Sequence, residues 1–178
     1  MSDAARFEAF VREYQDMVFA TAVRLLGRPS DAEDVAQTVF MRAFERFAQL
    51  EVSPSAAGWL KTVTTNLCLN HLSRYRARWQ FFSEMDTAEP GPPLSTRLAL
   101  MANAPAELER VERQERLERA LRRLPDHQRV PLVLFHFEEM SYQAIAEALR
   151  VSIAKVKSDI HRGREALKLE LTIPHGSR

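Results

Sequence analysis

The side chains best suited to handling a nucleic acid fall between residues 152 and 164. Ser152, Lys155, Lys157, Ser158, His161, Arg162 and Arg164 lie within that one run. Lysine donates to guanine edges, and serine pairs with several bases. Arginines further along such a run hold phosphates, which position a protein without reading sequence. A second basic run, 59–80, carries Lys61, Arg74, Arg76 and Arg78 and no acid. His71, Arg74 and Arg78 recur there at three and four residue steps, so one helical face can track phosphates. A third set has different chemistry. Glu33, Asp34, Gln37, Thr38, Met41 and Glu45 turn outward when the apolar residues of their segment turn inward. Acids, an amide and an adaptable methionine suit a protein partner better than a nucleic acid. Asp31, Glu33 and Asp34 also favour the positive N-terminal end of a helix, and both explanations can hold together.

Helices must carry all three sets. Phe7, Phe10, Val11, Tyr14, Val18, Thr21, Ala22 and Leu25 recur with helical period. Ser2 or Asp3 caps that helix and Gly27 ends it. Ser30 to Glu33 forms a capping box that opens a second helix with the stripe Ala32, Val35, Ala36, Val39, Phe40, Ala43 and Phe47. Ser53-Pro54 opens a third helix running through Trp59 to about Trp79. Tyr75 and Trp79 on it serve equally for stacking or for packing. Residues 86–105 hold Pro90, Gly91, Pro92, Pro93 and Pro105 and read as a flexible linker, with room for a short helix around 95–101. Leu108, Val111, Leu117, Leu121 and Leu124 then mark another helix, and Pro125 opens the next. Pro131 inside that one should kink it or loosen a turn. Ser141 caps a short helix, and a last helix runs from Ile153 to about Leu171. The fold class is all-α: two small helical domains, 1–82 and 106–172, joined by the linker 83–105. The final pair has helix-turn-helix spacing, in which the N-terminal residues of the second helix reach base edges in the major groove.

Bulk properties narrow the function. The net charge of +1 hides segregation: residues 150–168 carry six Lys/Arg against Asp159 and Glu165, whereas 81–109 carry five acids against Arg97 alone. Two basic islands point to two separate anionic contacts. Few phosphates would be neutralised, so affinity for DNA without a partner should be weak. From charge alone, ordinary solvated helix faces explain the basic residues as well. No run approaches a membrane span, no secretory signal is visible, and a lone Cys68 allows no intrachain disulfide. A cytoplasmic protein without membrane insertion is the economical reading. Phosphate-binding glycine loops, zinc-protease motifs and nucleophile elbows are absent, and the five histidines are scattered. No enzyme, metal site or cofactor is expected.

Several ordered motifs resemble one family. Leu124-Pro125-Asp126-His127-Gln128-Arg129-Val130, Met140 to Ala146, Val156-Lys157-Ser158 and His161-Arg162-Gly163-Arg164 resemble region 4 of extracytoplasmic-function (ECF) sigma factors, in the sigma-70 family of RNA polymerase. Asp31 to Phe40 resembles their region 2.2. Trp59-Leu60 through Asn66-Leu67, with the arginine-rich stretch after it, resembles regions 2.3 and 2.4. The resemblance covers roughly residues 5–80 and 105–171. It implies a region 2 helical bundle and a region 4 helix-turn-helix. The partners it implies are core RNA polymerase, through the β′ clamp helices and the β flap, and promoter DNA. An anti-sigma factor is a further partner common among relatives. It assigns Asp31, Glu33, Asp34, Gln37, Met41 and Arg42 to polymerase binding. Asn66 matches the family position whose amide lies in the pocket for a flipped base, with Lys61, His71, Arg74 and Arg78 on the minus-ten strand. An amide suits that pocket because it both donates and accepts. The loop 51–55 would touch the same base. The acidic linker would thread near the RNA exit path, although acidic tethers are common. Ser152, Lys155, Lys157, Ser158, His161, Arg162 and Arg164 would meet the minus-thirty-five element.

The chain departs from the family pattern in places. Ala154-Lys155 stands where Gly-Thr is frequent, and Asp159 where arginine is frequent after Ser158. An acid there would repel phosphate or accept from a cytosine amino group. Asn70 stands where aspartate is common. The rival reading is a stand-alone helix-turn-helix transcription regulator, which leaves the acidic helix and the Asn66 region unexplained. A pure interaction module that decoys an anti-sigma factor is a second rival.

Overall fold

In the computed structural model of the chain, residues 2–75 and 107–172 are described. All their regular structure is helical. Contacts divide the chain into two units, Met1–Tyr75 and Arg76–Arg178. The expected linker, its short helix, Arg76, Arg78 and Trp79 lie outside the described residues.

Unit 1 contains α1 (Asp3–Leu26), α2 (Pro29–Glu45), the short α3 (Phe47–Leu50), α4 (Ala56–His71) and a 3-10 turn, Leu72–Tyr75. Helices α1, α2 and α4 pack on one another. Val18, Ala22, Leu25, Val39, Ala43, Leu60 and Cys68 fill the space between them, each large aliphatic contributing about 1.5–3 kcal/mol. The Ser2 hydroxyl accepts the Ala5 N–H at 3.3 Å and caps α1. Gly27, at φ 72°, ends it by donating its N–H to the Val23 carbonyl. Glycine enters that left-handed conformation without a Cβ penalty. Phe7, Phe10, Phe44 and Phe47 meet at the far end of α1, Phe7 edge-on to Phe44 with centroids 4.9 Å apart.

Two helix starts differ from expectation. The capping box at Ser30 does not form. Helix α2 begins at Pro29, after Arg28, with no side-chain cap. Proline's preset φ and missing N–H suit the first helical position, so Ser30 falls inside the first turn. Pro54 does not open α4 either. The Ser53 hydroxyl accepts the Ser55 N–H at 3.3 Å and sits 3.0 Å from the Ser55 hydroxyl. That local turn competes with the helix, which begins only at Ala56. At the other end α4 stops at His71, short of the expected length.

Unit 2 contains α5 (Glu107–Arg123), α6 (Asp126–His136), α7 (Tyr142–Leu149) and α8 (Ile153–Thr172). Helix α8 packs on α5, α6 and α7. Helix α6 continues through the buried Pro131. The proline costs about 3 kcal/mol, but its neighbours Val130, Leu132, Val133 and Leu134 are fully buried, and two of them already offset that loss. Arg129, buried at the start of α6, donates to the Leu124 carbonyl at 2.9 Å and pairs with Asp126, pinning the corner between α5 and α6. A Cβ on Gly163 would lie 3.2 Å from the Gln128 carbonyl oxygen, so glycine lets α8 approach α6 closely.

Candidate functional site

The outward face of α2 carries Glu33, Asp34, Gln37, Met41 and Arg42, all exposed, Met41 at 64%. The Thr38 hydroxyl turns back onto the Asp34 carbonyl at 3.1 Å. Asp31 is half-buried, and its carboxylate lies 3.5 Å from His71 Nε2 on α4. One expected polymerase contact and one expected DNA contact therefore meet each other. Sequence reasoning missed Phe44. It is 60% exposed, three residues beyond Met41 on the same outward side. A helical wheel would have found it, because Phe44 falls between the exposed Glu33 and Gln37 and outside the inward stripe.

Helix α4 presents a different surface. Gly58, Thr62, Asn66 and Asn70 follow at four-residue steps, and all are exposed. This stripe is polar and uncharged, with the half-buried Lys61 at its edge. Asn66 thus stands in the open on α4. His71 is turned toward α2 instead. Because α4 ends at His71 and Arg74 falls in the 3-10 turn, His71 and Arg74 do not share a face of one α-helix. Arg78 lies outside the described residues.

In unit 2 the Ser141 hydroxyl accepts the Ala144 N–H at 3.1 Å and caps α7. Arg150, in the left-handed conformation at φ 58°, makes the tight turn into α8. The Ser152 hydroxyl accepts the Lys155 N–H at 3.1 Å. This is helix-turn-helix geometry, with a capped second helix. Lys157 is exposed, its ammonium 5.7 Å from the Tyr142 ring centroid. Tyr142 stacks on Phe135, centroids 4.7 Å apart. Ser158, His161 and Arg162 are half-buried.

Two of the expected minus-thirty-five residues are not on the surface. Lys155 Nζ lies 2.8 Å from Asp159 Oδ1, and both side chains are only 7% exposed. The pair closes across the inner face of α8, where neither member can reach a base. Burial pushes the Asp159 carboxyl above its ordinary range, and Lys155 opposes that shift. The anticipated repulsion of phosphate, or pairing with cytosine, therefore does not arise. Arg164 is also buried. Its Nε donates to His136 Nε2 at 3.0 Å, and its guanidinium lies 5.7 Å from the Phe135 centroid. That bond requires a neutral imidazole. Burial, and secondarily the Arg164 charge, pull the His136 pKa down to about 4. Among the described residues no group of His, Cys, Asp or Glu could hold a metal ion. No described helix is long and apolar enough to cross a membrane.

Comparison with known proteins places the chain in a family. Residues 10–78 match Sigma-70 region 2, and residues 114–167 match Sigma-70, region 4. The ECF RNA polymerase sigma factor SigW of Bacillus subtilis is 28% identical over 95% of this chain and 90% of its own. The ECF RNA polymerase sigma factor SigE of Mycolicibacterium smegmatis is 34% identical over 91% of this chain and 60% of its own. The RNA polymerase sigma-E factor of Streptomyces coelicolor is 31% identical over 96% of this chain and 89% of its own. With both regions matched in order and near-complete relatives at this identity, the chain belongs to the sigma-70 family of RNA polymerase sigma factors, in its ECF branch.

Proposed function

We propose that this sigma factor directs core RNA polymerase to specific promoters and helps open the minus-ten region. One observation carries the reading: three outward surfaces of unlike chemistry stand on three different helices. The acid, amide and methionine face of α2, extended by Phe44, suits a protein partner. Asp34, Gln37 and Met41 would grasp the β′ clamp helices, with Glu33 and Arg42 at the edge. The uncharged polar stripe of α4 suits an unpaired base, with Asn66 as its reader and Lys61 beside it. The capped start of α8 suits the minus-thirty-five major groove, with Lys157 and Ser158 foremost and His161 and Arg162 behind. In domain terms, residues 1–82 bind polymerase and the minus-ten strand, 83–105 connect, and 106–172 bind the minus-thirty-five duplex through α8 and the β flap through the rest. Synthesis of RNA stays with the polymerase, so the chain itself needs no catalysis and works in the cytoplasm.

Two variants separate the surfaces. Asp34→Lys should weaken core polymerase binding at least tenfold, since a reversed charge at an interface costs more than 1.4 kcal/mol. Asn66→Ala should leave core affinity unchanged and slow strand opening, read by permanganate reactivity of unpaired thymines. A chain that binds no core polymerase, or an Asn66→Ala variant that opens promoters normally, would count against the reading.

A further inference from the structure

The first turn of α8 has an unexpected composition. Among the large apolar side chains of this helix Val156, Ile160 and Leu167 are each 1% exposed and Leu171 is half-buried, whereas Ile153 and Leu169 are exposed. Leu169 lies near the far end. Ile153 is the first residue of the helix and stays 43% exposed, beside the exposed Ala154. Ala154, Lys157, Ser158 and His161 then follow at three and four residue steps along one side.

Three of their polar neighbours are engaged elsewhere. The Ser152 hydroxyl caps the helix. Lys155 and Asp159 neutralise each other inside. Base pairs present distinct patterns in the major groove, each with favoured side chains, and serine, here the half-buried Ser158, pairs with several of them. Guanine takes a cation, which Lys157 supplies. Adenine takes an asparagine or glutamine, and none occurs between residues 152 and 162. Cytosine takes a carboxylate, and Asp159 is buried. Thymine offers a methyl group, which takes an apolar contact, and two exposed apolar side chains stand where a recognition helix meets base edges.

We infer that Ile153 and Ala154 read the 5-methyl group of a thymine in the minus-thirty-five duplex, next to the contact made by Lys157. The inference rests on the sigma-factor reading and assigns specificity within it. The buried Lys155–Asp159 pair is what makes room for it, because it takes a cation and an acid away from the reading face and leaves methyl groups there. Burying one methyl is worth about 0.8 kcal/mol, roughly a fourfold change in binding.

The test uses the full chain assembled with core polymerase. Promoter duplexes randomised across the minus-thirty-five element are selected by the holoenzyme and sequenced. The expected pool prefers thymine, on either strand, at one position. The Ile153→Ser/Ala154→Ser variant loses that preference and keeps those at other positions. Both residues are exposed, so the variant should fold, which circular dichroism verifies. Deoxyuridine, which lacks only the methyl group, is then placed at the selected position. Wild-type binding should fall about threefold to fivefold, and the variant's by less than twofold. A holoenzyme that selects promoters without a thymine preference, or that binds deoxyuridine and thymine duplexes alike, overturns the inference while leaving the sigma-factor reading standing. A holoenzyme that selects no sequence at all overturns both.

Discussion

Replacing Lys155 with alanine should lower the stability of unit 2 by about 3–5 kcal/mol, the usual loss when one partner of a buried ion pair is removed. The Asp159 carboxylate would then sit in a 5% exposed position with no cation beside it. Its pKa, already raised by burial, would climb further as the side chain took up a proton to relieve the penalty. Asp159→Ala should cost a similar amount for the complementary reason. The double change Lys155→Met/Asp159→Leu should recover most of the loss, because apolar residues of similar volume often replace a buried pair at little cost. Native-state hydrogen exchange of the α8 amides reports unit 2 separately from unit 1. Single variants with unchanged exchange would show that the pair is exposed to water in solution.

Acidification should loosen the same unit through His136. In the folded chain its pKa is about 4, against an ordinary 6.5. Between those values the unfolded chain binds a proton that the folded chain refuses. Stability contributed by neutral His136 is therefore complete above pH 6.5 and is lost as the pH falls toward 4. The ceiling is about 3 kcal/mol, and the half-buried position of the ring lowers it to about 2–3 kcal/mol. His127, whose pKa is also lowered, chiefly by burial, adds in the same sense. Asp159, with a raised pKa, works in the opposite sense at the acidic end. His136→Gln separates the contributions, because an amide oxygen can accept from Arg164 Nε at every pH. Unfolding free energies compared at pH 7 and pH 5 should fall for the wild-type chain and fall less for His136→Gln. Equal slopes would remove His136 as the cause.

Much of the architecture was legible from local chemistry. The cap at Ser2, the left-handed Gly27, the start after Pro125 and the cap at Ser141 each depend on one residue's bonding options, so reading them needs no tertiary information. The misplaced starts were contests between adjacent signals. Pro29 prevails over Ser30 because its backbone is already helical, and the Ser53–Ser55 turn holds the chain out of helix until Ala56. Helix α8 was harder. Lys155 and Asp159 look like surface charges in a list of residue types, yet they share the inner side with Val156, Ile160 and Gly163. Arg164 lies inward too, and its partner His136 is distant in sequence. Only packing brings those groups together, and the same packing leaves Ile153 in the open.

Nuclease footprinting of a promoter, with the chain alone and with core polymerase added, tests the division of labour among the three helices most directly. The expected result is no specific protection by the chain alone. With polymerase present, the minus-thirty-five and minus-ten segments should be protected together, with unpaired bases in the latter. Protection of symmetric half-sites by the chain without polymerase would contradict it.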